Sequence, residues 1–222
     1  MLTLESTTLW DFPTQNYGKT PHGNNKYNGV TPAFIVWNLL NRYTKEDDLV
    51  IDPMCGSGTT IDVAKELKRR VIGYDINIVR NDVVYNDARH LPLENESVDF
   101  IFIDPPYSDN IKYSGSDQCI GKISCEKQEF FEELEKVIIE IHRTLKQGKV
   151  MALLIGDQWI KKKFTPTGFL TYQILQKYFE TIDLVCVTRH NQTSNTDVWH
   201  NRAREFNFYL RGFKYLFIMK KL

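Results

Sequence analysis

Apolar segments of strand length alternate with segments of helical periodicity, and this alternation restricts the fold more than any other feature. The strand-like segments are 48–53, 71–77, 98–104, 149–157 and 182–189, and the helix-like segments are 31–43, 57–70, 127–148 and 169–179. Such alternation is typical of a doubly wound α/β sheet with mostly parallel strands. The last segment, 206–221, indicates a hairpin or bent strand around Gly212 and therefore an antiparallel edge.

Length and composition favour a globular domain without a membrane segment. The 222 residues fit a single domain, 1–222, which begins with a polar N-terminal arm over residues 1–30. The four cysteines lack the spacing and histidine partners of a zinc site, so we expect no metal, reduced thiols and a cytoplasmic location. The sequence has no apolar run of membrane-spanning length, and its N-terminus lacks the features of a secretion signal.

Polar segments follow three of the predicted strands at the point where each strand ends. They are DPMCGSGTT after the first strand, DIN within the end of the second, and DPPY after the third. Ligands of doubly wound sheets bind at the carboxyl ends of the strands. We therefore expect the three segments to line one crevice.

The first of these segments is a glycine loop with room for a ligand. Gly56 and Gly58 allow a tight strand-to-helix turn and a close approach to the backbone. The third glycine of a dinucleotide fingerprint and the lysine of a P-loop are both missing, so an adenosine-type ligand with a carboxylate is favoured over a pyrophosphate. Asp75 is placed to accept hydrogen bonds from a ribose, and Asp87 from an adenine amino group. The alternative is that the glycines only make a turn and the acids only cap helices.

The DPPY segment holds two acceptors and an aromatic ring in one rigid shape. Asp104 supplies a carboxylate, Pro105 supplies a carbonyl, and Pro106 restricts the direction of that carbonyl. The two acceptors match the two N–H groups of an exocyclic amine, and Tyr107 offers a face for stacking on a heteroaromatic ring. The alternative is a pair of prolines that merely ends an edge strand.

This arrangement suits methyl transfer to a ring amine. The lone pair of such an amine is delocalised into the ring, and acceptors on both N–H groups favour a pyramidal nitrogen and stabilise its developing positive charge. With a sulfonium methyl donor at the glycine loop, the reaction needs alignment and electrostatics and no covalent enzyme intermediate. The proton then passes to Asp104 or to water.

In the order and spacing of these motifs, the chain resembles the DNA amino-methyltransferases that use S-adenosylmethionine to make N6-methyladenine or N4-methylcytosine. The resemblance runs through TPAFIVWNLLNRY, DPMCGSGTT, YDIN, DARHLP, DPPY, VMALLIGD and RGFKYLFIMKK. It implies a seven-stranded, Rossmann-like sheet of the class I methyltransferase type with an antiparallel edge strand, and catalysis by Asp104 to Tyr107. The implied cofactor-binding residues are Thr31, Pro32, Asp52, Pro53, Cys55, Gly56, Ser57, Gly58, Thr59, Thr60, Asp75, Ile76, Asp87 and Ala88.

The resemblance further implies a DNA base flipped out of the duplex over Tyr107. The Asp form of the catalytic loop leans toward adenine N6 and leaves cytosine N4 open. An RNA or small-molecule methyltransferase on the same fold, including the RNA guanine-N2 enzymes with the same loop, is an alternative, as is a non-catalytic cofactor-binding subunit.

Family members often carry a large target-recognition domain, for which this chain offers only the loops 108–124, 157–168 and 189–205. Zero net charge requires any basic surface for DNA to be local. Contacts to phosphates or grooves are predicted for Lys161, Lys162, Lys163, Arg189, Asn191 and Arg202. Ordinary solvated loops are the alternative. The small loops make a homodimer or a separate specificity partner plausible.

Overall fold

An eight-stranded sheet organises the computed structural model, which describes residues 2–24, 29–107, 118–160, 162–190 and 196–222. The strands are β1 Leu9–Trp10, β2 Leu49–Asp52, β3 Arg70–Asp75, β4 Val83–Tyr85, β5 Val98–Ile103, β6 Leu145–Ile155, β7 Gln158–Ile160, β8 Lys163–Thr165, β9 Glu180–Thr188 and β10 Phe213–Lys220. The helices are α1 Ala33–Tyr43, α2 Thr59–Glu66, α3 Gln128–Thr144, α4 Thr167–Leu175 and α5 Asp197–Glu205.

The strand order is β1-β9-β10-β6-β5-β2-β3-β4, with β7 and β8 forming a separate antiparallel hairpin. Neighbouring strands are parallel except where β10 pairs antiparallel with β9 and with β6. The predicted α/β class with a mostly parallel sheet is therefore confirmed. The sheet has eight strands rather than seven, because the two-residue β1 adds to β9, and its antiparallel strand lies inside the sheet rather than at the edge.

Alternate residues of β5 point into two separate apolar cores. Ile101 and Ile103 pack with residues of α3 and α4, whereas Phe100 and Phe102 pack with residues of α1 and α2. All four side chains are at most 1% exposed. Because successive strand residues face opposite sides of a sheet, helices cover β5 on both faces, which explains its unbroken apolar sequence.

Several boundaries differ from those predicted. Helix α2 ends at Glu66 rather than at residue 70, since Lys68 adopts a left-handed φ of 59°. Helix α3 ends at Thr144 rather than at residue 148, and β6 begins at once because Leu145 is already extended. The segment 206–221 was predicted to be a hairpin or a bent strand around Gly212. The hairpin is wrong, because β10 is one strand that begins at Phe213, after Gly212, and its two partners are β9 and β6.

Three neighbouring strands end in or just before an acid. β2 ends at Asp52, β3 ends at Asp75, and β5 ends at Ile103, directly before Asp104. Because β3, β2 and β5 are adjacent and parallel, the three carboxylates lie along one edge of the sheet. Within the described ranges, no helix has the length and apolar character needed to cross a bilayer.

Candidate active site

A cleft of about 850 Å³, counting the space at its open mouth, lies at the carboxyl ends of β2, β3 and β5. The glycine loop, Asp75 and the start of the DPPY segment meet in its wall. The predicted residues that line it are Thr31, Asp52, Pro53, Cys55, Gly56, Ser57, Thr59, Thr60, Asp75, Ile76, Asp87, Ala88, Asp104 and Pro106. Lining residues that sequence reasoning did not single out are Gly29, Val30, Met54, Asn86, Phe102, Gln118, Cys119 and Ile120. Pro32, Gly58, Pro105 and Tyr107 are not among the lining residues.

The shape of the glycine loop depends on two glycines with left-handed backbone conformations and on a hydrogen bond between the loop and Asp75. Gly56 and Gly58 have φ values of 48° and 83°, which residues other than glycine rarely adopt. The Gly56 N–H donates to Asp75 Oδ2 at 2.8 Å, so the carboxylate predicted for a ribose also fixes the loop. The chain leaves Gly58 directly into α2, whose free N–H groups face the same end of the sheet.

An arginine that sequence reasoning missed braces this loop from the side. Arg80 donates to both oxygens of Asp62 in the first turn of α2, at 2.9 and 2.7 Å, and to the Ser57 carbonyl at 3.1 Å. Asp62 Oδ2 also accepts from the Gly23 N–H of the N-terminal arm at 2.8 Å. The arm and the glycine loop are thus tied to the same carboxylate.

Asp52 is the most deeply buried acid of the cleft, at 3% exposed. Its carboxylate accepts from Thr60 Oγ1 and from the Met54 N–H at 2.5 and 3.1 Å. Burial raises the pKa of Asp52 to about 7, and the charges of Asp75 and Asp104 add to this effect, whereas its two hydrogen bonds oppose it. Burial likewise raises the pKa of Asp75 above its usual range.

Asp87 lies on the cleft wall, but its oxygens already bind a neighbour. Arg89 donates to Asp87 from its backbone at 3.0 Å and from its guanidinium at 2.6 Å, and it also contacts Glu133. Burial acts to raise the pKa of Asp87, but the Arg89 hydrogen bonds outweigh burial and hold it below its usual range. An adenine amino group would have to share this carboxylate with Arg89.

Asp104 sits between a hydroxyl and an ammonium. Thr31 Oγ1 donates to Asp104 Oδ2 at 2.8 Å, and Lys214 Nζ donates to Oδ1 at 3.0 Å and to Oδ2 at 2.9 Å. Thr31 was predicted to bind the cofactor, and it directly precedes Pro32, the N-cap of α1. The sequence signal for Lys214 was a lysine within the apolar segment RGFKYLF, and it was overlooked.

Tyr107 is 5% exposed and belongs to the apolar core beneath α3 and α4. Its hydroxyl lies beside Gly156, where an added Cβ would be 2.9 Å away, and Lys214 Nζ lies 5.6 Å from the ring centroid. A base could stack on this ring only after neighbouring side chains moved. Stacking on Tyr107 therefore stays a prediction.

The described residues predicted to contact DNA lie in the β7–β8 hairpin, just after β9 and on α5. Lys162 and Lys163 are exposed in the β7–β8 hairpin, Arg202 is exposed on α5, and Arg189 is half-buried after β9. Lys161, Asn191 and most of loop 108–124 lie outside the described residues. The predicted loop 189–205 contains α5, which buries none of its side chains, and the predicted loop 157–168 contains the hairpin.

Aromatic and basic side chains connect the hairpin with the segment before β10, the hairpin side chains being exposed and Phe208 and Arg211 half-buried. The rings of Trp159 and Phe208 stack with centroids 6.1 Å apart, Arg211 lies 5.2 Å from the Phe164 ring, and Arg202 lies 5.3 Å from the Trp199 ring. Tyr209 is 82% exposed. We call this the aromatic–basic surface, consisting of Trp159, Phe164, Trp199, Arg202, Tyr209 and Arg211.

The composition of the cleft restricts the ligand. Four acidic side chains, Asp52, Asp75, Asp87 and Asp104, favour a ligand with positive charge and disfavour a polyanion such as a pyrophosphate. The α2 N-terminus can take a carboxylate group, and the apolar side chains of Ile76, Phe102 and Ile120 can cover a flat ring. Among the described residues, no cluster of histidines, cysteines and acids could hold a metal ion.

Solved structures share the architecture. TrmN from Thermus thermophilus matches with a TM-score of 0.57 and 19% identity, over 88% of this chain and 50% of that one. A SAM-dependent methyltransferase from Methanosarcina mazei matches with a TM-score of 0.55 and 18% identity, over 83% of this chain and 97% of that one. At these identities the likeness establishes the Rossmann-like fold of class I methyltransferases.

Curated relatives match over shorter segments. The Type II methyltransferase M.HindIII of Haemophilus influenzae is 48% identical over 57 residues, which is 26% of this chain and 17% of the relative. The Type II methyltransferase M2.DpnII of Streptococcus pneumoniae is 38% identical over 66 residues, 30% of this chain and 24% of the relative. The chain thus covers less than a third of the length of either relative.

A family model gives the broadest match. The model N6_N4_Mtase, described as DNA methylase, matches residues 3–85 and 98–221. These two ranges contain the N-terminal helix, the glycine loop, the DPPY segment and the last strand, and they leave out only the Asp87 loop and the chain ends. The chain therefore belongs to the DNA methylase family that this model describes.

Proposed function

We propose that this chain is a single methyltransferase domain that moves the methyl group of S-adenosylmethionine to the exocyclic amino group of a DNA base, adenine N6 in the first place. The observation that carries the proposal is the position of Asp104. It lies in the wall of the same cleft as the glycine loop, with its carboxylate held by Thr31 and Lys214. A DNA substrate implies a cytoplasmic location and a role in DNA modification.

The cleft residues fit S-adenosylmethionine, which when bound would supply a methyl carbon on a positively charged sulfur. Asp52 and Asp75 suit the cationic and hydroxyl-bearing parts of such a ligand, and the α2 N-terminus suits its carboxylate. Asp87 and Ala88 border the region for the adenine ring. The carboxylates Asp52 and Asp75 are held by backbone N–H groups, so they are ordered before a ligand arrives.

Asp104 aligns the target amine. Its carboxylate would accept an N–H of the amine and would stabilise the positive charge that develops on that nitrogen as it gains the methyl group that bound S-adenosylmethionine would supply. One amine proton then leaves to water or to Asp104. Pro105 supplies the second acceptor, and Tyr107 the stacking face once the base has entered.

The aromatic–basic surface provides the contacts to DNA. It adjoins the catalytic loop at two points, because Gln158 Nε2 donates to the Tyr107 carbonyl at 3.5 Å and Lys214 follows Arg211 by three positions. Lys162, Lys163 and Arg202 neutralise phosphates, and exposed rings stack on unpaired bases near the flipped nucleotide. Lys161, Arg189 and Asn191 complete this set, and a second copy or a partner could extend it.

The test is transfer of labelled methyl groups to duplex DNA, single-stranded DNA and tRNA, followed by sequencing of the DNA with detection of modified bases. We expect label in DNA, on adenine N6. Label on cytosine N4 would correct the base, label in tRNA alone would replace the substrate, and cofactor binding without transfer would favour a non-catalytic subunit.

Asp104→Asn should lower the transfer rate by roughly 10²–10³-fold while leaving cofactor affinity nearly unchanged, because the lost acceptor acts on the amine. The matched control is Asp99→Asn. Asp99 is a buried acid of the same strand, at its other end, and it also pairs with a lysine, Lys146, at 2.8 Å. Equal losses in the two variants would mean that Asp104 contributes only to stability.

A further inference from the structure

The ammonium of Lys214 contacts both oxygens of the catalytic-loop carboxylate. Lys214 lies at the start of β10, paired with Val187 of β9, and reaches across to the carboxylate at the end of β5. Its side chain is 19% exposed and that of Asp104 is 11% exposed. Two charges with so little access to water stabilise each other far more than a surface pair does.

The hydrogen bonds that Asp104 makes to described residues do not fill all the acceptor positions of its carboxylate. A carboxylate has about four acceptor positions, two on each oxygen. On Oδ2, Thr31 and Lys214 fill both positions, whereas on Oδ1 the contact among the described residues is with Lys214. One acceptor position on Oδ1 is therefore left in the described structure. Asp104 lies in the cleft wall, so this position is the natural one for an incoming N–H.

The surroundings of Asp104 are otherwise acidic. Asp52 ends the adjacent strand β2, Asp75 ends the next strand β3, and the charges of Asp75 and Asp104 both act on Asp52. Without Lys214, the hydroxyl of Thr31 would be the one side-chain donor to Asp104 among the described residues. Burial acts to lower the pKa of Lys214, but the charges of Asp104 and Tyr107 outweigh burial and the opposing charge of Arg189, and raise it.

We infer that Lys214 is a positioning residue for methyl transfer: its hydrogen bonds to both carboxylate oxygens hold Asp104 turned so that Oδ1 accepts an N–H of the target amine. This inference rests on the proposed function, since it assigns a role in that reaction. Lys214 itself does not touch the amine. Its contact with the Tyr107 ring, 5.6 Å from Nζ to the centroid, couples the same ammonium to the stacking face.

The test compares Lys214→Met, which removes the charge, with Lys214→Arg, which keeps it. Near pH 7 the methionine variant should lose roughly 100-fold in kcat, with KM for DNA and affinity for S-adenosylhomocysteine within about threefold of wild type. The arginine variant should stay within about tenfold of wild type.

The matched control is Lys220→Met, at the other end of the same strand, which should leave kcat unchanged. A kcat for Lys214→Met within about threefold of wild type would overturn the inference. A kcat above wild type would also overturn it, and would mean that Lys214 competes with the amine for Asp104. A Lys214→Arg variant as slow as Lys214→Met, or a loss of cofactor affinity as large as the loss in kcat, would equally overturn it, since either result would indicate structural damage.

Thermal denaturation of Asp104→Asn, Lys214→Met and the double variant separates this inference from the proposed function. If Lys214 holds Asp104, the Tm losses of the single variants are non-additive. Additive losses overturn the inference. A wild-type protein that methylates no nucleic acid would refute the proposed function, and the thermal cycle would still report whether the ion pair exists.

Discussion

Burial in the folded protein disfavours the ionised form of Asp52. Burial comes first among the causes that raise its pKa to about 7, and the charges of Asp75 and Asp104 add to it. An unfolded aspartate has a pKa of about 4. Between these values the folded protein binds more protons at Asp52 than the unfolded chain does. The stabilisation from this proton is present at acid pH and is lost as the pH rises through about 7.

Asp52→Asn should therefore become more favourable relative to wild type as the pH rises. The amide keeps an acceptor for the Met54 N–H and carries no charge to bury. We expect the Tm of the variant minus the Tm of wild type to increase between about pH 5 and about pH 8, measured by thermal denaturation.

Asp99→Asn is the control, because the pKa of Asp99 is shifted in the opposite direction to that of Asp52. Burial acts to raise the pKa of Asp99, but hydrogen bonds from Lys146 and from the Leu49 N–H outweigh burial and lower it. The ionised form of Asp99 therefore stabilises the fold at neutral pH. This stabilisation is lost as the pH falls through the lowered pKa of Asp99. A Tm difference for Asp52→Asn that does not change with pH would show that Asp52 is not held neutral.

At the scale of elements, β3 and α2 touch where a side chain would not fit. A Cβ on Gly73 would lie 2.5 Å from Ile61 Cδ1 and 2.8 Å from Cys55 Sγ. Gly73→Ala should push α2 and the glycine loop away from β3. We expect it to lower the free energy of unfolding by about 1–3 kcal/mol, measured with urea, and to weaken cofactor binding, measured by calorimetry.

Gly212→Ala is the matched control for this prediction, because a Cβ at Gly212 meets nothing within 4 Å. It should change the free energy of unfolding by no more than about 0.5 kcal/mol. If Gly73→Ala bound the cofactor as tightly as Gly212→Ala, the position of the glycine loop would not depend on this contact.

The sequence predicts the elements that bury apolar side chains and misses those that do not. The runs that became β2, β3, β5 and α3 are apolar on the faces that the fold covers. Helix α5 has no buried residue, so it carries no apolar stripe by which it could be recognised. Strands β1 and β4 have only two and three residues, too few for any periodicity.

The candidate site likewise contains features that the sequence predicts and features that it does not. The polar segments that follow β2, β3 and β5 were predicted to share a crevice because chain topology alone brings strand ends together. The partners of the acids could not be predicted, since Lys214 is 110 positions from Asp104 and Arg80 is 18 positions from Asp62. Side-chain pairing at such separations depends on packing that no local pattern records.

Over the whole molecule, charge balance conceals an uneven distribution. The chain has 28 basic and 28 acidic residues, yet four acids line the cleft, whereas Arg202, Arg211 and two described hairpin lysines belong to elements outside the cleft lining. The cleft thus suits a cationic cofactor, and the surface next to it suits a polyanion. One molecule can hold both ligands because their subsites differ in sign.

This separation predicts how DNA binding depends on salt. Lys163→Gln and Arg202→Gln should each weaken duplex binding and reduce the slope of log K against log salt concentration by about 1, since each removes a phosphate contact. Lys68→Gln is the control: Lys68 pairs with Glu46 at 3.5 Å just before β3, at the end of the sheet away from the cleft. Fluorescence anisotropy over a salt series measures all three. A slope reduced in the Lys68 variant, and unchanged in the other two, would place the DNA on the opposite end of the sheet, where no carboxylate of the cleft could reach a flipped base.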